Sequence, residues 1–177
     1  TQAVAALQEK DIFIQSIICD GKSGLLDSFP DIPVQMCQFH QIKIIMRHLT
    51  RKPKSPAAQG LRALSLTLTE TTQAAFEAAL KRWYEQYAAF LNERSVNEKT
   101  GHSHYTHKRL RAAYNSLKRH LPWLFTCERF PELCIPNTTN LLEGKFSEMK
   151  QLLRCHRGLK KESKLRFIKD YFAKETA

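Results

Sequence analysis

The sequence is short of acidic residues, and it has no long apolar run and no repeat. Seventeen Asp and Glu stand against twenty-eight Lys and Arg, a formal charge of +11, and the pI is about 9.6. That excess is larger than solubility requires and points to a polyanionic partner, nucleic acid first, with a generally basic surface as the plain alternative. No stretch approaches eighteen consecutive apolar residues, which excludes a membrane-spanning helix, and TQAVAALQEK lacks the basic-then-apolar order of a secretory signal. The expectation is a soluble, intracellular chain. The five cysteines (Cys19, Cys37, Cys127, Cys134 and Cys155) are odd in number and widely spaced, so a disulfide framework is excluded and reduced thiols are expected. What is present is 42% hydrophobic content in 177 residues, enough for the core of one domain or of one domain with an insertion. The chain begins without Met and inside an apparent helix, and is expected to be part of something longer.

Helical spacing in AVAALQEKD leads into IFIQSIICDG, an Ile-rich run that stops at Asp20-Gly21 and predicts a buried strand ending in a turn. A helical turn over 24–29 and a second short strand in IPVQMCQF follow, punctuated by Pro30 and Pro33. That order predicts α/β architecture with parallel strands. Strand signals stop at His40. QIKIIMRHL reads as helix and TRKPKSPAAQG as a polar loop at a boundary; 69–94 reads as a long helix with Phe76, Leu80, Trp83, Tyr87 and Phe90 on one face. A hydrophilic stretch separates it from RLRAAYNSLKRHL, and the proline-bearing 122–140 reads as irregular. The last helix starts near Asn140 and gives way to a basic tail. Residues 1–50 thus form an α/β piece, 51–136 an all-helical insertion, and 137–177 a helix with that tail. Two strands make a marginal sheet, so the α/β piece is too small to stand alone.

Four groups carry candidate chemistry. Asp20 ends a strand, where open α/β sheets place ligand-binding groups, although Asp-Gly is also an ordinary turn. Glu143 sits in a helix first turn behind Thr138, Thr139 or Asn140 as cap, a place the helix dipole favours for any carboxylate. Leu142, Phe146, Met149 and Leu153 are expected to be buried, with Glu143 heading an adjacent stripe of Ser147, Lys150 and Arg154. Two carboxylates beside a basic ridge suit magnesium-dependent phosphoryl transfer. Cys37 and His40 have C-x2-H spacing; zinc would need two further ligands, and Cys127, Cys134, Cys155 and His156 form no recognisable second pair. Lining a catalytic pocket, or a plain strand-end histidine, are the other readings of His40. His102, His104 and His107 lie in a polar loop and read as solvated. Trp83 reads as core, and Trp123 as the better candidate for stacking on a base.

Taken together, ICDGKSGLL, FPDIPVQMCQFHQIKI and IPNTTNLLEGKFSEMKQLLRCHRGL resemble the catalytic domain of DDE transposases of the Mutator-like group and related bacterial insertion sequences. The likeness covers about residues 10–50 and 130–172, and its most specific part is T-T-N-x-x-E continuing through His156-Arg157-Gly158-Leu159. It implies a partial ribonuclease H-like core in a predominantly helical chain. It makes Asp20 the second metal-binding acid, Glu143 the third, and Cys37 and His40 a pair lining the active site. It implies two Mg2+ (or Mn2+) ions in the intact protein, transposon ends and target DNA as partners, and a homodimer or higher oligomer in synapsis. Lys145, Lys150, Arg154, His156, Arg157 and Trp123 are the DNA-binding candidates. A nucleoid-associated protein of a prokaryotic cytoplasm is expected. The family's first acid lies many tens of residues before the second, but only nineteen residues precede Asp20, and Asp11 begins the same strand. The chain on its own is therefore expected to bind DNA without cutting it. The alternative is a non-catalytic DNA-binding remnant in which Asp20 is a turn and Glu143 a cap.

Overall fold

The structure, a computed structural model, describes residues 2–22 and 24–175. The chain is predominantly helical, with two small two-stranded sheets among the described residues. It forms two compact units, Thr1–Thr138 and Thr139–Ala177.

In the first unit a short helix, α1 (Gln2–Gln8), precedes β1 (Ile17–Cys19), which pairs in parallel with β2 (Val34–Met36). The register Ile17↔Val34, Ile18↔Gln35, Cys19↔Met36 brings both strands to a common carboxyl edge. The chain turns there at Gly21, whose φ of +80° is costly for any residue with a Cβ. A Cβ on Gly21 would also collide with the Met36 side chain, itself fully buried. Gly21→Ala is therefore expected to lower the stability of this unit by about 1–3 kcal/mol. An unchanged urea midpoint would show that the turn relaxes freely.

So small a sheet survives because helices complete its core. After β2 come α2 (Gln38–Leu49), α3 (Pro56–Leu66), α4 (Gln73–Asn92) and α5 (Lys108–Leu124), with short α6 (Thr126–Arg129) beyond. Cys19, Val34 and Met36 share one buried cluster with Ile45, Leu61, Phe76, Leu117 and Phe125. The α/β piece and the helical stretch thus build a single core. In α4, Phe76, Leu80 and Trp83 are buried and Tyr87 and Phe90 half-buried, as the sequence periodicity requires. Thr72 caps α4, and the Glu128 carboxylate accepts the Gln73 N–H at 3.0 Å, an anion at the positive end of a helix.

Three segments differ from the sequence-based expectation. Residues 56–66 are helical because Ser55 caps the Ala58 N–H and Pro56 takes the first helical position, where its missing N–H costs nothing. The hydrophilic stretch holds an antiparallel pair, β3 (Arg94–Val96) with β4 (Ser103–Tyr105). It is fastened by the stacking of Arg94 and Arg111 on Tyr105. And α5 continues through Pro122 to Leu124. Proline removes one helical donor there, and two buried glutamine side chains satisfy the helix's last carbonyl, Leu124 O.

Those glutamines come from VQMCQFHQ. Gln35, Gln38 and Gln41 are buried. Gln35 Nε2 donates to Met36 O and Leu124 O, both at 2.8 Å, and its Oε1 accepts the Cys127 N–H at 2.9 Å. Gln38 Nε2 donates to the same Leu124 carbonyl at 2.8 Å, and the Thr126 hydroxyl donates to Val34 O at 2.7 Å. The end of α5 is thereby tied to β2 and α2.

The second unit consists of α7 (Asn140–Cys155) and α8 (Lys161–Glu175). The segment expected as a basic tail is a helix of its own. Phe146 meets Phe172 edge-on at 5.7 Å and His156 faces Phe167 at 6.3 Å, so the two helices run antiparallel. Tyr171 also donates its hydroxyl to Glu148 at 3.0 Å. Among the described residues no helix is long and apolar enough to cross a membrane.

Candidate functional site

Asp20 and Cys37 follow the two strands at the carboxyl edge of the β1–β2 pair, and His40 stands three residues on, in α2. Asp20 follows β1 directly and is exposed; its Oδ1 accepts the Lys22 N–H at 3.1 Å, which leaves Oδ2 without a protein donor among the described residues. Oxygen donors of this kind suit a hard cation such as Mg2+. Cys37 follows β2, is buried, and donates its N–H to Cys19 O at 2.8 Å, locking the strand ends together. It stands at the start of α2, and His40 lies in that helix's first turn, half-buried. The Cys37 Sγ and a ring nitrogen of His40 lie within 4.8 Å. This sulfur and nitrogen pair has the softness zinc prefers, but among the described residues of the first unit no second Cys or His pair joins it. The nearby Cys19 is not part of that pair. Burial pushes its thiol up, the Gly21 backbone amide pulls it down, and the Asp20 and Cys37 charges add to the rise.

Asn137, the first residue of the N-T-T-N run, belongs to this edge through its backbone. Its carbonyl accepts the Gln38 N–H at 2.9 Å, satisfying an orphan donor of α2, and its side-chain amide donates to Thr69 O at 3.4 Å.

Within the second unit, Thr139 is the residue at which α7 begins. Its carbonyl accepts the Glu143 N–H at 2.9 Å and its hydroxyl donates to Glu143 Oε1 at 2.8 Å, which fixes the carboxylate at the helix start. Lys145, Lys150, Arg154, His156 and Arg157 are all exposed on or just after α7. The neighbouring apolar stripe is only partly buried. Met149 is buried and Leu153 half-buried, but Leu142 and Phe146 keep 53% and 38% of their surface exposed. A two-helix hairpin encloses too little volume to cover a whole apolar face.

The remaining candidates separate cleanly. Trp83 is core: it is buried, donates its indole N–H to Ala57 O at 2.9 Å, and stacks on Tyr114 at 5.5 Å. Trp123 lies in the last turn of α5, half-buried, and borders two surface cavities. His107 binds Glu93 at 2.8 Å and stacks on Phe90 at 3.7 Å, holding the hairpin to α4; His102 is exposed and His104 half-buried.

Sequence reasoning missed the glutamine series, Arg119 and His120. Glutamines three apart in an otherwise apolar run are the signal that was available. The chain matches no protein-family model, no curated protein and no solved structure.

Proposed function

We propose that this chain is part of the catalytic domain of a DDE transposase, a ribonuclease H-like enzyme that cuts and rejoins DNA by in-line attack of water or a 3′-hydroxyl on a phosphodiester. The observation that carries this is Asp20: an exposed carboxylate at the carboxyl edge of a parallel strand pair, where Cys37 follows the neighbouring strand. Open α/β sheets bind ligands at that edge. The T-T-N-x-x-E motif adds a second carboxylate, Glu143, held at a helix start by Thr139.

Asp20 and Glu143, with a third acid that the resemblance puts before residue 1, would hold two Mg2+ or Mn2+ ions. Bound there, the ions would act as Lewis acids on the phosphoryl oxygens. The chain's own residues bind and align the DNA strand. Exposed Lys145, Lys150, Arg154, His156 and Arg157 serve its backbone. Such an enzyme acts on transposon ends and target DNA as a dimer or larger assembly, in this case within a prokaryotic nucleoid.

One observation favours a second reading, a DNA-binding remnant without catalysis. The Lys22 N–H on Asp20 and the Thr139 hydroxyl on Glu143 are also what a plain turn and a plain cap would show.

DNA binding is common to both and is tested first. Log affinity of the 177-residue chain for duplex DNA is expected to fall linearly with log salt concentration. Lys150→Ala with Arg154→Ala should reduce that slope by about 2. Affinity indifferent to salt would sink both readings. Magnesium-dependent nicking by this chain alone would overturn the need for a third acid.

A further inference from the structure

A cavity of about 260 Å3 opens in the first unit beside the Asp20 turn. One wall is the loop after β1, with Gly21, Gly24 and Asp27; the other is the end of α5, with Arg119, His120 and Trp123. Neither the Arg119 guanidinium nor the Asp27 carboxylate has a partner among the described residues, although both line one small space.

His120 is held from behind. Gln41, fully buried, turns its Nε2 to Ser116 Oγ at 3.2 Å, so its Oε1 faces His120 Nδ1 at 2.7 Å. Nδ1 therefore carries a proton and donates it to the amide oxygen, leaving Nε2 as the ring nitrogen open to a ligand. Burial, and after it the Arg119 charge, pull the imidazole's pKa down and favour its neutral form. On the opposite wall, nothing lies within 4 Å of where a Cβ on Gly24 would stand, so a ligand can approach the loop's backbone there.

The chemistry of the lining narrows the occupant. A bare anion is repelled by Asp27, a bare cation by Arg119, and an apolar ligand leaves both charges unanswered. A nucleotide presents all the matching parts: a phosphate, amino or hydroxyl donors, and a flat ring with a π-face. The space is smaller than a drug-sized ligand site and admits roughly one nucleoside, which excludes a duplex.

We propose that this cavity is a subsite for a single unpaired nucleotide of a DNA strand. Arg119 binds its phosphate, Trp123 covers the base, Asp27 accepts from a base amino group, and His120 Nε2 accepts from a second donor. The assignment rests on the nucleic-acid reading above and adds that a strand must be locally unpaired next to Asp20.

The test is fluorescence anisotropy of the 177-residue chain with a labelled single-stranded oligonucleotide of mixed sequence and with the corresponding blunt duplex. Arg119→Ala and Trp123→Leu are each expected to weaken single-strand binding by about tenfold, with duplex affinity changed less than about twofold, since that depends on phosphate contacts elsewhere. Arg119 is exposed, so its variant retains the fold and decides the outcome if Trp123→Leu unfolds. Single-strand affinity unchanged in Arg119→Ala, with the wild type binding both DNAs, overturns the subsite and leaves the nucleic-acid reading intact. A wild-type chain that binds neither DNA overturns the nucleic-acid reading itself. Displacement of the single strand from the wild type, but not from Arg119→Ala, by millimolar deoxynucleoside monophosphate supports the subsite. Equal displacement from both overturns it.

Discussion

Glu143→Gln, placed in a protein that carries the third acid, is expected to lower the rate of strand cleavage by about a thousandfold or more, because the amide keeps the shape of the side chain and loses the charge that would bind a metal ion in the proposed site. DNA affinity should change less than about twofold, since the cations that would meet phosphate lie elsewhere on α7. The structure sharpens the experiment. The Thr139 hydroxyl already donates to Glu143 Oε1, and a glutamine carbonyl oxygen accepts the same bond, so the helix start survives the substitution. Thr139→Val is the complementary change. It removes the donor but keeps the carboxylate, and an acid that only caps the helix would leave cleavage intact in both variants, with a larger loss of stability in Thr139→Val, which breaks the bond, than in Glu143→Gln, which keeps it. A rate within tenfold of wild type for Glu143→Gln would refute the ligand role.

The second large effect is on stability. Gln35→Leu is expected to destabilise the first unit by about 2–4 kcal/mol, because it removes the buried donor to the Met36 and Leu124 carbonyls and strands the part-buried Cys127 N–H. Leucine fills a similar volume, so lost packing contributes little. Leu124 O keeps one donor, Gln38, which holds the cost below that of removing the whole network. Replacing Gln86, exposed on α4, should change stability by less than about 0.5 kcal/mol. Urea titrations of the three proteins make the comparison, and equal midpoints for Gln35→Leu and wild type would remove the glutamines as the tie between β2 and α5.

The contrast between Gln35 and Asp20 shows what was readable in the chain. Asp20 was legible because its cues are local: an Ile-rich run, then Asp-Gly. The same is true of α4, whose caps and apolar spacing lie within its own residues, and of α7. Gln35 was not legible, because its partners Leu124 and Cys127 lie some ninety positions away, and only the folded chain shows which carbonyl a buried amide will meet. The run of α5 past Pro122 to Leu124 was hidden for the same reason, since the donors that meet the Leu124 carbonyl come from Gln35 and Gln38. For α3 the cue was present but masked: Lys52, Lys54 and two prolines gave the segment a loop-like composition, although Ser55-Pro56 is a sound helix start. The Arg119–His120 wall combines both difficulties, since two basic residues on an amphipathic helix read as a solvated face until Gln41 is seen behind the imidazole.

The loop after β1 and the helix end it faces are held by different means. The loop contains short-range turn bonds such as Leu25 N–H to Lys22 O and Ser28 N–H to Leu25 O, and Gly21 and Gly24 hold positive φ. The end of α5 is bound to β2 and α2 through Gln35, Gln38 and Thr126. Freeing it requires the core to open, and the loop opposite is anchored in that same core by buried Leu26, with Leu25 and Phe29 packed against it. Both sides of the cavity are therefore fixed by one core. A strand entering beside Asp20 would meet Arg119 and Trp123 already in place, which lowers the ordering entropy of binding.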